Sequence, residues 1–145
     1  MEYEPVPIIS KDFPKYVIPL IESALFSIDI IVFDWRFYNN DPANPVSQFN
    51  QAIARACRRN VNVRCLVQNE GVVEKLTALG CWAKKLNSKR ILHTKLLIID
   101  KKRVIMGSHN YTQNAFSSNH EASIFVVLKD EKNALVEYFN NLFGL

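Results

Sequence analysis

A mixed α/β fold, with a mostly parallel sheet flanked by helices on both faces, is what this sequence predicts. Three observations carry the prediction. From Asp12 to Leu86, apolar residues recur alternately at helical spacing and in short β-branched runs, the alternation that builds parallel strands joined by helical crossovers. Beyond them, the apolar runs Ile91 to Ile99 and Arg103 to Met106 are separated only by Asp100-Lys101-Lys102, long enough for a hairpin and too short for a crossover. Finally, a chain of 145 residues, 48% hydrophobic and 22% charged, buries roughly two thirds of its unfolded surface, so residues 1–145 read as one domain with its own core.

The elements follow in order. Asp12 to Phe26 carries Phe13, Val17, Leu20, Ile21, Ala24 and Leu25 on one helical face, with Pro14 suited to a first turn and Pro19 a kink. Ser27 to Phe33 reads as a strand covered on both faces. After a turn region from Asn39 to Pro45, a second helix points Val46, Phe49, Ile53 and Ala56 inward and ends in the solvated cations Arg55, Arg58 and Arg59. A strand from Val61 to Val67, a helix from Val72 to Leu79 closed by Gly80, and a strand from Trp82 to Leu86 complete the alternating part. The hairpin turns at Asp100, Glu121 to Leu128 is a further strand, and Asp130 is expected to cap a last helix carrying Ala134, Leu135, Tyr138, Phe139 and Leu142.

Composition excludes several classes. With only 4 Gly and ordinary hydrophobicity, the chain is neither disordered nor collagen-like. Cys57, Cys65 and Cys81 are odd in number and lack ligand-like spacing, which argues for a reducing, cytoplasmic setting and against both a disulfide framework and a zinc site. The N-terminus has no basic segment leading an apolar run, and no apolar stretch reaches the ~18 residues of a membrane span, so no stable membrane association is expected. Net charge is +4, but Lys84, Lys85, Lys89, Arg90, Lys95, Lys101, Lys102 and Arg103 face a single acid, Asp100. Such a stripe draws an anionic partner.

The hairpin region holds the chemistry. If Ile91 to Ile99 is one strand, His93 and Lys95 share a face about 6.5 Å apart. An imidazole beside an ammonium invites an anion between them, and a phosphate fits that gap. By the same parity Asp100 points away, which gives it the structural role of capping the turn and pairing with nearby cations. On the returning strand Gly107 permits close backbone approach, while Ser108 and Asn110 can donate to phosphate oxygens. Arg36 follows the first long strand, at the carboxyl end where α/β sheets gather ligands, and is a candidate substrate contact. Its neighbours Trp35, Phe37 and Tyr38 read as loop packing.

In these residues the chain resembles the phospholipase D superfamily. The signature His-x-Lys-x4-Asp-x6-Gly-Ser-x-Asn is matched by His93, Lys95, Asp100, Gly107, Ser108 and Asn110, and the downstream Asn-x-Glu by Asn119 and Glu121. The resemblance, nearest to the small single-motif endonucleases of the superfamily, implies a phospholipase D-like fold and a covalent phosphohistidine route needing neither metal nor other cofactor. It makes His93 the nucleophile or acid/base, gives Lys95, Ser108 and Asn110 the phosphate, and has Glu121 accept from the second imidazole nitrogen. Two histidines are required and the motif occurs once. His109 and His120 read as loop or supporting residues, so a homodimer would supply one His93 from each copy, with the basic stripe doubled into a channel. The expected activity is endonucleolytic hydrolysis of nucleic acid, DNA ahead of RNA. Phospholipid phosphodiesterase or transphosphatidylase chemistry, and a nucleic-acid-binding nuclease module of a larger restriction or defence system, are the alternatives.

Overall fold

A computed structural model describes residues 4–145. Seven strands form one sheet: β1 (Val6–Ile9), β2 (Ser27–Ile31), β3 (Asn62–Val67), β4 (Trp82–Lys85), β5 (Leu96–Ile99), β6 (Arg103–Gly107) and β7 (Ala122–Val127). Five helices accompany them: α1 (Asp12–Glu22), α2 (Pro45–Arg58), α3 (Glu70–Leu79), α4 (Gln113–Ser117) and α5 (Ala134–Phe143). The spatial order is β1-β7-β6-β5-β2-β3-β4. β2, β3 and β4 pair in parallel, whereas β5 on β2, β6 on β5, β7 on β6 and β1 on β7 are antiparallel. The sheet is mixed, as the alternation and the hairpin together predict: β5 and β7 run one way and the other strands the opposite way.

The two faces are covered unequally. On one, α1 to α4 bury Phe13, Val17, Ile21, Phe49, Ile53 and Leu76 against Ile28, Ile30, Leu97, Ile99 and Ile105. On the other, α5 alone brings Val136, Phe139 and Phe143 onto Ile31, Leu66, Leu96, Ile98 and Val104. The outer strands on the α5 side stay open, and Ile9, Met106 and Ile124 are 52%, 43% and 37% exposed. They lie in register there, Met106 beside Ile124 and Ile9 beside Ala122.

Several boundaries move for local reasons. α1 stops at Glu22 rather than Phe26, because the amides of Leu25, Phe26 and Ser27 turn to donate to the Asp100 carboxylate. Asn44 caps α2 ahead of Pro45, and Gly80 takes the left-handed conformation, φ 106°, that ends α3. The last helix is capped by Asn133 and not by Asp130: the Asn133 side chain accepts from the Val136 amide and donates to the Lys101 carbonyl, tying α5 to the hairpin. β1 and α4 escape the sequence patterns, one a four-residue strand containing Pro7 and the other a five-residue helix. Pro7 is tolerated because β1 is an edge. The cysteines are free thiols, with Cys57 and Cys81 Sγ 3.7 Å apart.

β2 is buried at all five positions, Asp29 among them. Its carboxylate accepts from Arg64 Nε at 2.8 Å and Lys101 Nζ at 2.6 Å. Arg64 also lies 4.8 Å over the Phe139 ring and donates to Asn140, so the same charge that neutralises Asp29 docks α5.

Candidate active site

The carboxyl ends of β2 and β6 and the amino ends of β5 and β7 meet at one end of the sheet, since Leu96 pairs with both Ile31 and Met106. Residues just beyond these ends form the site. The strand expected from Ile91 begins only at Leu96, because β6 ends at Gly107 and leaves the preceding segment without a ladder partner. That segment is held instead by the Leu92 amide donating to Gln68 Oε1. The expected 6.5 Å gap across a strand face is therefore replaced by direct contact, with Lys95 Nζ 3.3 Å from both ring nitrogens of His93. An ammonium can donate only to a ring nitrogen that carries no proton, so this contact suits a histidine with a lone pair to offer. Phe33, just past β2, backs both groups: its ring centroid is 5.3 Å from that of His93 and 5.9 Å from Lys95 Nζ. Burial lowers the Lys95 pKa, and Glu121 partly offsets the shift.

Opposite them, Gly107 lets β6 approach β7. A Cβ there would lie 2.4 Å from Ser123 Cα and 2.5 Å from the Ala122 carbonyl oxygen. Ser108, next along, accepts from the Ala122 amide and donates to Glu121 Oε1 at 2.5 Å. Glu121 Oε2 accepts from Asn119 Nδ2 at 3.0 Å. Both carboxylate oxygens are thus engaged, and the expected Glu121 bond to His93 is not made within one protomer. Asn110 Oδ1 accepts from the Asp34 amide at 3.1 Å, which commits the oxygen and leaves Nδ2 as a donor.

Comparison with known proteins identifies the family. A family model described as cardiolipin synthase, PLD-like domain, matches residues 17–143. The chain belongs to the phospholipase D superfamily. A phospholipase D from Rickettsia prowazekii (strain Madrid E) is 31% identical over 140 residues, covering 90% of this chain and 60% of that protein, so the chain spans less than two thirds of that relative. Nuc from Salmonella typhimurium, a phospholipase D family member, has the same fold, with a TM-score of 0.75 at 19% identity over 97% of this chain and 95% of its own. NucT from Helicobacter pylori gives 0.69 at 22% identity over 99% and 97%.

Of the remaining predicted residues, Asp100 lies far from this phospholipase D centre and the others lie around it in other roles. Asp100 sits at the far end of β5, where it accepts from three amides and from Arg103. Burial alone would push its carboxyl up, but those donors outweigh it and hold the carboxyl below its ordinary value. His109 lies in the segment after β6, as expected, but its side chain is sealed into the core. It is 1% exposed, stacked on Phe13 at 4.4 Å, with Nδ1 facing Ser123 Oγ and Nε2 facing the Ser10 carbonyl. A carbonyl only accepts, so Nε2 carries the proton and Nδ1 takes the serine's. His120 is exposed beside Glu121. Arg36, largely exposed, pairs with Asp34 at 2.7 Å. Trp35 is buried, donating to Asn50 at 2.7 Å.

The basic stripe is divided. Lys101 is paired with Asp29, Arg103 with Asp100, and Lys84 with the Phe143 carbonyl. Lys101 and Arg103 lie at the hairpin end of β5, opposite His93, so the expected channel of eight cations does not surround the motif. Among the described residues, no helix is long and apolar enough to cross a membrane, and no three His, Cys, Asp or Glu side chains group as a metal site requires.

Proposed function

We propose that the protein is a metal-independent endonuclease that hydrolyses nucleic acid, DNA ahead of RNA, in an active site completed by a second copy of the chain. The observation that carries this reading is the His93–Lys95 contact at 3.3 Å, with Asn110 Nδ2 and Ser108 at the same end of the sheet. His93 attacks phosphorus with its ring lone pair, a P–N bond forms, and the P–O bond to the leaving nucleoside breaks. His93 of the second copy donates the proton that the leaving oxygen needs. Water then attacks the phosphohistidine and yields its proton to that second histidine, which restores both rings. Lys95 and Asn110 bear the charge that gathers on the phosphoryl oxygens. Glu121 acts as a positioning residue, holding Ser108 and Asn119 and balancing Lys95.

Two facts support a shared site. One protomer offers a single His93–Lys95 pair, since His109 is committed to Ser123 and Ser10. The strip formed by Ile9, Met106 and Ile124 beside Ser108 lies uncovered, as an isologous contact would use it. Nucleic acid is favoured by the neighbours Nuc and NucT, which this chain matches over nearly their whole length. The lipid reading rests on the phospholipase D relative, of which the chain covers 60%, and on the cardiolipin synthase description of the family model.

Incubation with labelled single- and double-stranded DNA in excess EDTA tests the reading. Cleavage by the wild type and none by His93→Ala is the expected result. Cleavage by the purified variant, abolition by EDTA, or headgroup release from phosphatidylcholine vesicles without DNA cleavage would contradict it.

A further inference from the structure

Beside the His93 centre, a cleft of about 540 Å³ opens between the segment following β2 and the start of α3, with Phe33, Arg36, Phe37, Gln68 and Lys75 on its walls. The volume lies in the range of small-ligand pockets, roughly 300–1,000 Å³, and accommodates one nucleotide. Three features bear on what it takes. Phe33, 40% exposed, is shared between cleft and centre: one side of its ring neighbours His93, so anything stacked on its open surface lies directly beside the reacting phosphate. Lys75 is exposed and its ammonium stands 5.4 Å from the Phe37 ring centroid, which holds a cation over the opening. Arg36 projects from the same wall, its guanidinium half-engaged by Asp34, the acid within the cleft.

The cleft is also fixed to the motif. The Asp34 amide donates to Asn110 Oδ1, the Tyr111 amide to the Asp34 carbonyl, and the Arg36 amide to the Tyr111 carbonyl. A ligand seated there is held in register with the phosphate-binding Asn110. Aromatic surface for a base, flanked by cations for its backbone, is the chemistry by which unpaired strands are bound without sequence readout.

We infer that this cleft is a subsite for one unpaired nucleotide next to the scissile phosphate, with the base on Phe33 and the flanking phosphate at Arg36 and Lys75. The inference rests on the nuclease reading and adds to it a preference for single strands or frayed ends. A base-paired nucleotide stays stacked in its duplex and cannot lie flat on Phe33.

The test compares wild type, Arg36→Ala, Lys75→Ala, Phe33→Leu and the charge-matched control Lys132→Ala, an exposed lysine by the far hairpin. Each is assayed on a short single-stranded oligonucleotide, the same sequence as a duplex, bis(4-nitrophenyl) phosphate and phosphatidylglycerol vesicles, with thermal melts confirming folding. Lys75→Ala and Arg36→Ala are expected to raise KM for the single strand about five- to tenfold, and to flatten the logarithmic salt dependence by about 0.7 for each lost phosphate contact. The rise should exceed any change on bis(4-nitrophenyl) phosphate, and Lys132→Ala should track the wild type. Phe33→Leu should reduce the ratio of single-strand to duplex cleavage. Equal KM and salt slope for Lys75→Ala and Lys132→Ala, with wild-type DNA cleavage intact, would overturn the subsite alone. A wild type that hydrolyses bis(4-nitrophenyl) phosphate but no nucleic acid would overturn the nuclease reading and the subsite together. An effect confined to headgroup release from phosphatidylglycerol vesicles would assign the cleft to lipid and overturn both.

Discussion

His93 and His109 stand sixteen positions apart, one at the surface beside Lys95 and the other sealed between Phe13 and Ser123. Burial lowers the His109 pKa and the Ser10 carbonyl only partly restores it. Its folded pKa therefore lies below the ordinary 6.5, and in the interval between the two the unfolded chain binds a proton that the folded chain refuses. Stability is full above pH 6.5 and is expected to decline as pH falls through that window, a slope seen in urea titrations at stepped pH that His109→Asn removes. An unchanged slope in the variant would refute the assignment. Lys95 gives a second pH prediction. Its ammonium is the useful form and its pKa is lowered by burial, so kcat/KM should fall on the alkaline side before the ordinary lysine value of 10.5 is reached. Lys95→Arg, if active, should move that limb to higher pH. Gly107→Ala drives a methyl into the β7 backbone 2.4 Å away and is expected to destabilise by about 1–3 kcal/mol in thermal melts, displacing Ser108 with it. The motif residues were legible because their spacing is covalent. The Ser108–Glu121 bond was not, since it depends on how closely β7 approaches β6, and that is set by a glycine.

Strands and helices show where pattern reading stops. Long apolar periods located α1, α2, α3, β2 and β3 to within a few residues, because burying a continuous face is what holds such elements. β1 and α4 carry too few residues for a period to register, and the expected strand through His93 failed because a ladder needs a partner that sequence does not display. Asp29 is the clearest case: an acid inside an apolar run, explained only once register sets Arg64 beside it and the turn brings Lys101 over. Asp29→Ala leaves two cations without their counter-charge and should cost about 3–5 kcal/mol in chemical denaturation, with α5 the first element to loosen in hydrogen exchange. Loss of less than about 1 kcal/mol would mean that Arg64 and Lys101 reach solvent without it. Asp100 adds acid sensitivity of its own at lower pH. Its carboxyl is held below the ordinary 3.8, so its contribution is present above that value and is lost as pH falls beneath it.

For the molecule as a whole, coverage of the sheet and location of the site are linked. α5 shields the middle strands and leaves Ile9, Met106 and Ile124 open beside the end of the sheet that carries His93. A second copy seated on that strip would bury the apolar surface and supply the second histidine. Met106→Glu is therefore expected to halve the solution mass and abolish cleavage together, and a monomeric yet active variant would separate the two. The central claim, that each catalytic centre needs His93 from two copies, is tested most directly by mixing equal amounts of wild type and His93→Asn, allowing subunits to exchange, and measuring DNA cleavage in EDTA. Random pairing leaves about one quarter of the dimers with both histidines, so activity near one quarter of an equal total of wild type is predicted. Activity near one half would mean that each protomer works alone.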